Sequence, residues 1–327
     1  MLVLSAGDVE ALIDLDLLVD VVEKAMIDLS AGRVSMPARV AAQVADRHAM
    51  LAVMPAYLPA ANTLMTKLVS LFPDNRDRPT HQALICCFDA GTGTPLAVMD
   101  GTYVTATRTA AGSALATRLL ARPDAGVVAV IGTGVQARSH ARALARLPAV
   151  KTIRIAGRDH AKAVAAADEL SASGLVVEPV ASIEEAVRSA DIVCAATHPQ
   201  QPVVVRQWLS AGTHVNSVGY NTSGAGEIDT ATLRDAVVVV ESRDAVVAPP
   251  PSAAVEIRRA IEEGLLTEDR LIELGEIAAG RATGRTDPDQ LTVYKSVGVA
   301  VQDAAAAALV LDAALERGTG IEVQIAP

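Results

Sequence analysis

The chain has 327 residues, 51% hydrophobic and 2% aromatic, with 28 Lys and Arg against 38 Asp and Glu for a net charge of −10. That length suits two domains with well-filled cores, the hydrophobic content excludes a disordered chain, and the acidic balance excludes a nucleic-acid partner. Three cysteines, Cys86, Cys87 and Cys194, suggest neither a disulfide framework nor a metal site; with no apolar run of about 18 residues and an acidic rather than basic N-terminus, the expectation is a soluble cytoplasmic protein, not a membrane one.

Residues 6–30 read as one amphipathic helix with Leu12, Leu15, Val19, Val22 and Met26 on its stripe. Over 39–100, short β-rich runs (RVAAQVAD, AMLAVMPAYL, TLMTKLVSLF, QALICCFD, PLAVMDG) separated by Pro, Asn and Gly predict an antiparallel sheet. Ala90-Gly91-Thr92-Gly93-Thr94 turns one of its hairpins. A helix is expected over 103–121, then a boundary at Arg122-Pro123-Asp124-Ala125-Gly126. Beyond it, strands and helices alternate: GVVAVIGTG, a helix to 147, TIRIAG, a helix from 160, LVVEPV, a short helix, ADIVCAAT, a helix at 205–210, HVNSVG, and a strand at 237–241. Such alternation implies a parallel sheet covered on both faces. A last Ala-rich helix is expected over 295–317. The fold class is therefore α/β, a Rossmann-type doubly wound parallel sheet over 121–299 plus an α+β domain with an antiparallel sheet over 1–120.

The most specific local signal is Gly132-Thr133-Gly134-Val135-Gln136-Ala137, which follows the apolar strand Val127–Ile131 and opens a helix. In a dinucleotide fingerprint the first glycine makes the tight turn, the second admits a pyrophosphate, and the small third residue lets helix and strand pack closely. Free N–H groups at the helix start then favour the anion. At the end of the second strand an acidic residue would grip ribose hydroxyls, whereas an arginine accommodates a 2′-phosphate. Here Gly157 and Arg158 occupy that stretch, so NADP(H) is favoured over NAD(H). Asp159 alternatively caps the next helix, leaving Arg158 a solvated cation.

With the fingerprint in place, the chain resembles the ornithine cyclodeaminase/μ-crystallin family. The resemblance is carried by MPARV (36–40), Met54-Pro55 followed by Lys67, FDAGTGTPLAVMDGTYVTATRTAAGSALA (88–116), GTGVQA (132–137), HVNSVG (214–219), Glu227-Ile228-Asp229 and YKSVGVAVQD (294–303). It implies a homodimer, and a substrate-binding and dimerisation domain completed by residues 300–327. It also implies hydride transfer between a nicotinamide and the α-carbon of an amino acid or its imine. Fold alone does not choose among cyclodeaminase, alanine dehydrogenase and imine reductase.

Arg39, Lys67 and Arg108 match the family's carboxylate-binding positions, and guanidinium forks suit a carboxylate beside the reacting carbon. Lys67 can also pass a proton to the substrate nitrogen. Met54 and Val297 are candidate apolar contacts of substrate and cofactor. Thr109 is a candidate phosphate or substrate ligand or else a helix N-cap, and Thr197 stands where doubly wound sheets bind ligands. His81 and Gln82 face either the site or an interface, His140 is read as structural, and Asp303 as an anchor of the last helix. Two positions depart from the cyclodeaminase pattern. Asn221 stands where those enzymes carry a catalytic aspartate, and Ala52 where they carry a glutamate for the distal amine of ornithine. An amide has no proton equilibrium near neutral pH, so reduction of a preformed α-imino acid is the expected activity. Ornithine cyclisation, with Glu227 compensating for Asn221, is the same-fold alternative, and a non-catalytic nucleotide or amino-acid binder is the alternative of another class.

Overall fold

The computed structural model describes residues 1–188, 190–219, 224, 226–249 and 254–324, so that Asn221 lies outside the described residues. Two units divide the chain, Met1–Arg108 with Val299–Pro327, and Thr109–Gly298. The division falls inside a helix, twelve residues before the boundary expected at 120, because Gly101 to Leu120 are helical throughout.

The first unit begins with β1 (Leu2–Leu4), α1 (Ala6–Leu12), α2 (Leu15–Ser30), β2 (Val40–Val44), β3 (Ala49–Leu58), β4 (Thr63–Leu71), β5 (His81–Phe88), β6 (Pro95–Asp100) and the start of α3 (Gly101–Leu120). The single helix expected over 6–30 is two helices. Ile13 is extended, and Asp14 caps α2 by accepting from the N–H groups of Asp16 and Leu17 at 2.9 and 3.2 Å. The apolar stripe carries through the break because Leu12, Leu18, Val22 and Met26 are all buried, while the cap satisfies donors that a continuous helix would not expose. Strands β2 to β6 form the expected antiparallel meander. Asp89 Oδ1 closes the last hairpin by accepting from Gly91 and Thr92 N–H.

Residues opposite one another in this ladder share a face. Met54 pairs with Lys67 and Lys67 with Ile85; Ala52 pairs with Val69, Val69 with Ala83, and Leu71 with His81. These side chains lie on one face, and Val40, Val53, Leu68 and Leu84 form a row on the other.

The second unit contains β7 (Val127–Ile131), α4 (Val135–Leu144), β8 (Thr152–Ala156), α5 (His160–Ala172), β9 (Val177–Pro179), α6 (Ile183–Arg188), β10 (Ile192–Ala195), β11 (His214–Ser217), α7 (Thr230–Asp235), β12 (Ala236–Val240), α8 (Arg243–Val247), α9 (Val255–Glu262), β13 (Ile272–Glu273), α10 (Leu274–Ala278) and β14 (Leu291–Lys295). Its sheet runs β13-β12-β14-β11-β10-β7-β8-β9, parallel throughout. The strand order reverses between β7 and β10, which puts the usual ligand crevice at their carboxyl ends. Two expectations are corrected here. Residues Arg206–Trp208 make a short 3₁₀ turn instead of a helix over 205–210. Leu291–Lys295, read in part as the start of the last helix, is a fully buried strand between β11 and β12.

The chain then returns to the first unit through α11 (Ala300–Arg317), packed on α2, β3 and β4, and ends with β15 (Ile321–Glu322), which pairs with β1. β1, too short to show any periodicity, in turn lies parallel to β6. Among the described residues no helix is long and apolar enough to cross a membrane.

Candidate active site

In the first unit a buried carboxylate joins two of the three candidate clamp cations. Lys67 is 2% exposed, and its Nζ donates to both oxygens of Asp303 at 2.9 and 2.8 Å and to Thr105 Oγ1 at 3.4 Å. Arg108, equally buried, donates from Nε to Asp303 Oδ1 at 3.0 Å and from Nη1 to Gln302 Oε1 at 3.1 Å. Helix α3 reaches this cluster because Gly101 lets it start against β5; a Cβ there would stand 3.0 Å from Ala83. Thr105 and Arg108, three apart, then share a helix face. Arg39 is half-buried one residue before β2. Strand alternation puts it on the face of Met54 and Lys67.

The electrostatics follow from burial and crowding. Burial, with Arg108 and Arg39 nearby, brings the Lys67 ammonium down to about 8 against the opposing pull of Asp303. Burial acts to raise the Asp303 carboxyl, but Arg108 and Lys67 outweigh it and hold it below its usual range. His81 is pushed down to about 4, by burial first and then by Lys67 and Arg108, so it is neutral at pH 7 and belongs to this cluster; Gln82 is exposed. Asp303 is thus more than the helix anchor expected of it. No local signal pointed there, since its partners lie 236 and 195 residues away. Thr109 is not an N-cap. It is buried well inside α3, and Asp100 fills the cap position by accepting from Tyr103 N–H at 2.6 Å.

In the second unit the loop after β7 has the features that a dinucleotide needs. Gly132 has φ +121°, and a Cβ on it would come within 2.6 Å of the Ala196 carbonyl oxygen, so the turn and the approach to β10 both require glycine. Gly134 caps α4 with no side-chain hydrogen bond and has open space where a Cβ would be, which leaves the first N–H groups of a ten-residue helix available to an anion. Ala137 is fully buried against the strand. Gln136 Oε1 is buried without a hydrogen-bond partner among the described residues. Thr133 accepts from Arg138, and Val135 is exposed. Gly157 is explained by Thr133, whose Cγ2 would stand 3.1 Å from a Cβ there. Arg158 is exposed just past it, and Asp159 caps α5. His140 is structural, as expected: its ring bridges Ser113 Oγ at 3.0 Å and the Gln136 carbonyl oxygen at 2.7 Å, within that unit.

Sequence reasoning missed a buried polar network at the ends of β10 and β11. Glu227 accepts from Thr197 N–H and Oγ1 at 2.6 and 2.7 Å through one oxygen, and from Ser217 Oγ and Gly219 N–H at 2.8 and 2.7 Å through the other. Lys295 pairs with Glu256 at 2.9 Å and donates to the Gly219 carbonyl oxygen at 2.9 Å. Thr197 is therefore engaged through its hydroxyl proton, and Glu227 is taken up by four donors at the strand ends. Val297 likewise donates its N–H to the buried Glu241 at 2.8 Å. No cluster of metal-ligating side chains occurs among the described residues.

Known proteins resemble the chain over both of these units. The Ornithine cyclodeaminase/mu-crystallin family profile matches residues 1–318. The ketimine reductase mu-crystallin of Mus musculus is 35% identical over 301 residues, covering 90% of this chain and 91% of its own. The Thermococcus litoralis Δ(1)-pyrroline-2-carboxylate reductase, solved with NADH and L-proline, superposes with a TM-score of 0.94 at 36% identity, covering 99% of this chain and all (100%) of that one. An archaeal alanine dehydrogenase dimer with bound NAD superposes at 0.91 with 31% identity and 99% coverage of both chains. This chain belongs to the ornithine cyclodeaminase/mu-crystallin family.

Proposed function

We propose that this protein is an NAD(P)H-dependent reductase of α-imino acids, cyclic imine carboxylates among them. The observation that carries the reading is the buried pair Lys67 and Arg108 on one carboxylate, with Ala52, not an acid, on the same sheet face as Lys67. Arg39 and Arg108 hold the substrate carboxylate. Lys67, with its ammonium near 8, is charged at neutral pH yet a better acid than a solvated lysine, so it gives a proton to the imine nitrogen and recovers one from water. Met54 packs against the substrate's apolar side. A bound dihydronicotinamide supplies the hydride. Gly132, Thr133, Gly134, Val135, Gln136 and Ala137 would hold its diphosphate, with Thr109, Thr197 and Val297 further along the cofactor. Asn221, an amide, orients the imine nitrogen without exchanging a proton. At these two positions Ala52 supplies no acid for the distal ammonium of ornithine, and Asn221 no base for the loss of ammonia.

The direct test follows NADPH and NADH oxidation with 1-pyrroline-2-carboxylate, 1-piperideine-2-carboxylate, and pyruvate with methylamine, while assaying proline formation from ornithine. Rapid imine-dependent oxidation without proline is the expected result; proline from ornithine with catalytic NAD overturns the reading.

NADP(H) is the preferred cofactor on this reading, because Arg158 follows a Gly157 that cannot carry an acid and Asp159 is committed to capping α5. Arg158→Ala should weaken NADPH binding about tenfold, the worth of one charge-assisted phosphate contact, with NADH affinity little changed. Equal losses for the two cofactors in fluorescence titrations would remove Arg158 from this role.

The protein works as a homodimer in the cytoplasm. Val40, Leu51 and Leu84 are 65%, 46% and 50% exposed on the sheet face turned away from Lys67, an apolar surface suited to a second copy. Three free cysteines fit a reducing compartment. Leu84→Asp should give monomers by sedimentation velocity, and an unchanged sedimentation coefficient would rule this face out.

A further inference from the structure

We propose that Asp303 is the positioning residue of the reductive step: it keeps Lys67 charged and aimed, so that Lys67 stays loaded with the proton that the imine nitrogen takes up. The inference rests on the reading of Lys67 as proton donor. Its basis is geometric. Asp303 is fully buried, and its two oxygens receive Lys67 Nζ at 2.9 and 2.8 Å and Arg108 Nε at 3.0 Å. Anchoring α11 needs no such carboxylate, since Ala300, Ala304, Ala306 and Ala307 already bury that helix and a buried charge costs more than an apolar residue of similar volume. What the carboxylate does is offset a local excess of positive charge. Arg108 from α3 and Arg39 ahead of β2 both disfavour the Lys67 ammonium, as does burial, and Asp303 from α11 opposes them; on the same face of β5, His81 is neutral and the Cys87 thiol, pushed up to about 12 by burial, stays protonated.

In the reaction, hydride adds to the imine carbon, the C=N π pair becomes the nitrogen lone pair, and that nitrogen takes its proton from Lys67 Nζ. The neutral lysine then regains a proton from water. Without Asp303 a smaller fraction of the lysine would carry that proton at working pH.

The test replaces Asp303 by asparagine, which keeps the shape and removes the charge. The protein has five lysines, so ε-¹³C-lysine labelling resolves the Lys67 signal, with Lys67→Met to assign it. Asp303→Asn should lower the Lys67 titration by about one pH unit or more and move the alkaline limb of the kcat profile down with it. kcat at pH 8 should fall roughly 5-fold for a shift of one unit and roughly 50-fold for two, with NADPH affinity held within about twofold. Asp303→Glu should keep both limb and titration nearer the wild type. If the asparagine variant does not fold, Arg108→Gln gives the opposite sign: with one cation gone, the Lys67 titration should rise. A Lys67 titration unmoved in Asp303→Asn, or one that falls in Arg108→Gln, overturns the proposal. Should the wild type reduce no imine at all, the proposed function fails while the titrations still decide the pairing of Asp303 with Lys67. Should turnover hold and the limb stay fixed, only the role of Asp303 falls.

Discussion

Lys67→Met should lower kcat for an α-imino acid by roughly 10²- to 10⁴-fold, the usual worth of a positioned acid, while the Kd for NADPH stays close to that of the wild type. The sign of the pH dependence follows from the site. On the proposed role of Lys67 as proton donor, with its ammonium near 8, wild-type kcat should be flat below that pH and fall as pH rises through it. In Lys67→Met that limb should vanish, leaving a low and pH-insensitive rate. Loss of fold is not expected to cause the drop. Methionine matches the apolar stem of lysine, and Asp303 retains its bond from Arg108 Nε at 3.0 Å, so the buried carboxylate is not stranded. Breaking a buried pair outright costs about 3–5 kcal/mol; here the remaining arginine should reduce that, and thermal unfolding with and without NADPH would measure it. A variant within tenfold of the wild type, with its alkaline limb intact, would show that Lys67 only binds the carboxylate and that the proton comes from solvent.

What could be read from the sequence was whatever depends on short-range pattern. Alternating apolar residues marked the antiparallel meander, while the register that puts Met54, Lys67 and Ala52 on one face is seen only in the structure. The strand–glycine–helix sequence at 127–144 located the glycine loop, because Gly132 answers to a local backbone demand and Gly134 leaves open space ahead of α4. The failures share a different cause. Leu291–Lys295 was partly merged with the following helix because a strand buried on both faces has no alternation to reveal it, and its place between β11 and β12 is a long-range property. The break at Ile13 and Asp14 was hidden since the apolar stripe continues through it, and only a capping aspartate marks the second start. The division of the chain inside α3 leaves no compositional trace either. Asp303 and Glu256 are buried acids whose partners are distant in sequence. An acidic residue in an Ala-rich or Gly-rich stretch is the one hint available: a charge in such surroundings is rarely buried unless it is paired.

The two glycines of the loop after β7 should respond to the same substitution differently in stability. At Gly132 the backbone sits at φ +121°, and an added Cβ would lie 2.6 Å from the Ala196 carbonyl oxygen and 3.4 Å from Thr197 Cγ2. Alanine there is strained by about 1–3 kcal/mol from conformation alone, and the clash with β10 backbone adds to it, because neither strand end can shift without breaking the bonds of Thr197 to Glu227 at 2.6 and 2.7 Å. Gly132→Ala should therefore lower the melting temperature of the cofactor-free protein by several degrees and abolish dinucleotide binding with it. Gly134 has an ordinary extended φ of −88° and nothing within 4 Å of a Cβ. Gly134→Ala should leave the cofactor-free melting temperature unchanged, while the methyl group occupies the space through which a pyrophosphate reaches the first N–H groups of α4. NADPH affinity should then fall by roughly tenfold or more, the effect of losing one charge-assisted hydrogen bond. Calorimetry of the two variants, each with and without NADPH, separates the two kinds of glycine. A Gly134→Ala protein that binds NADPH like the wild type would mean that the diphosphate does not lie against the N-terminus of α4, and the cofactor assignment of this loop would have to be abandoned.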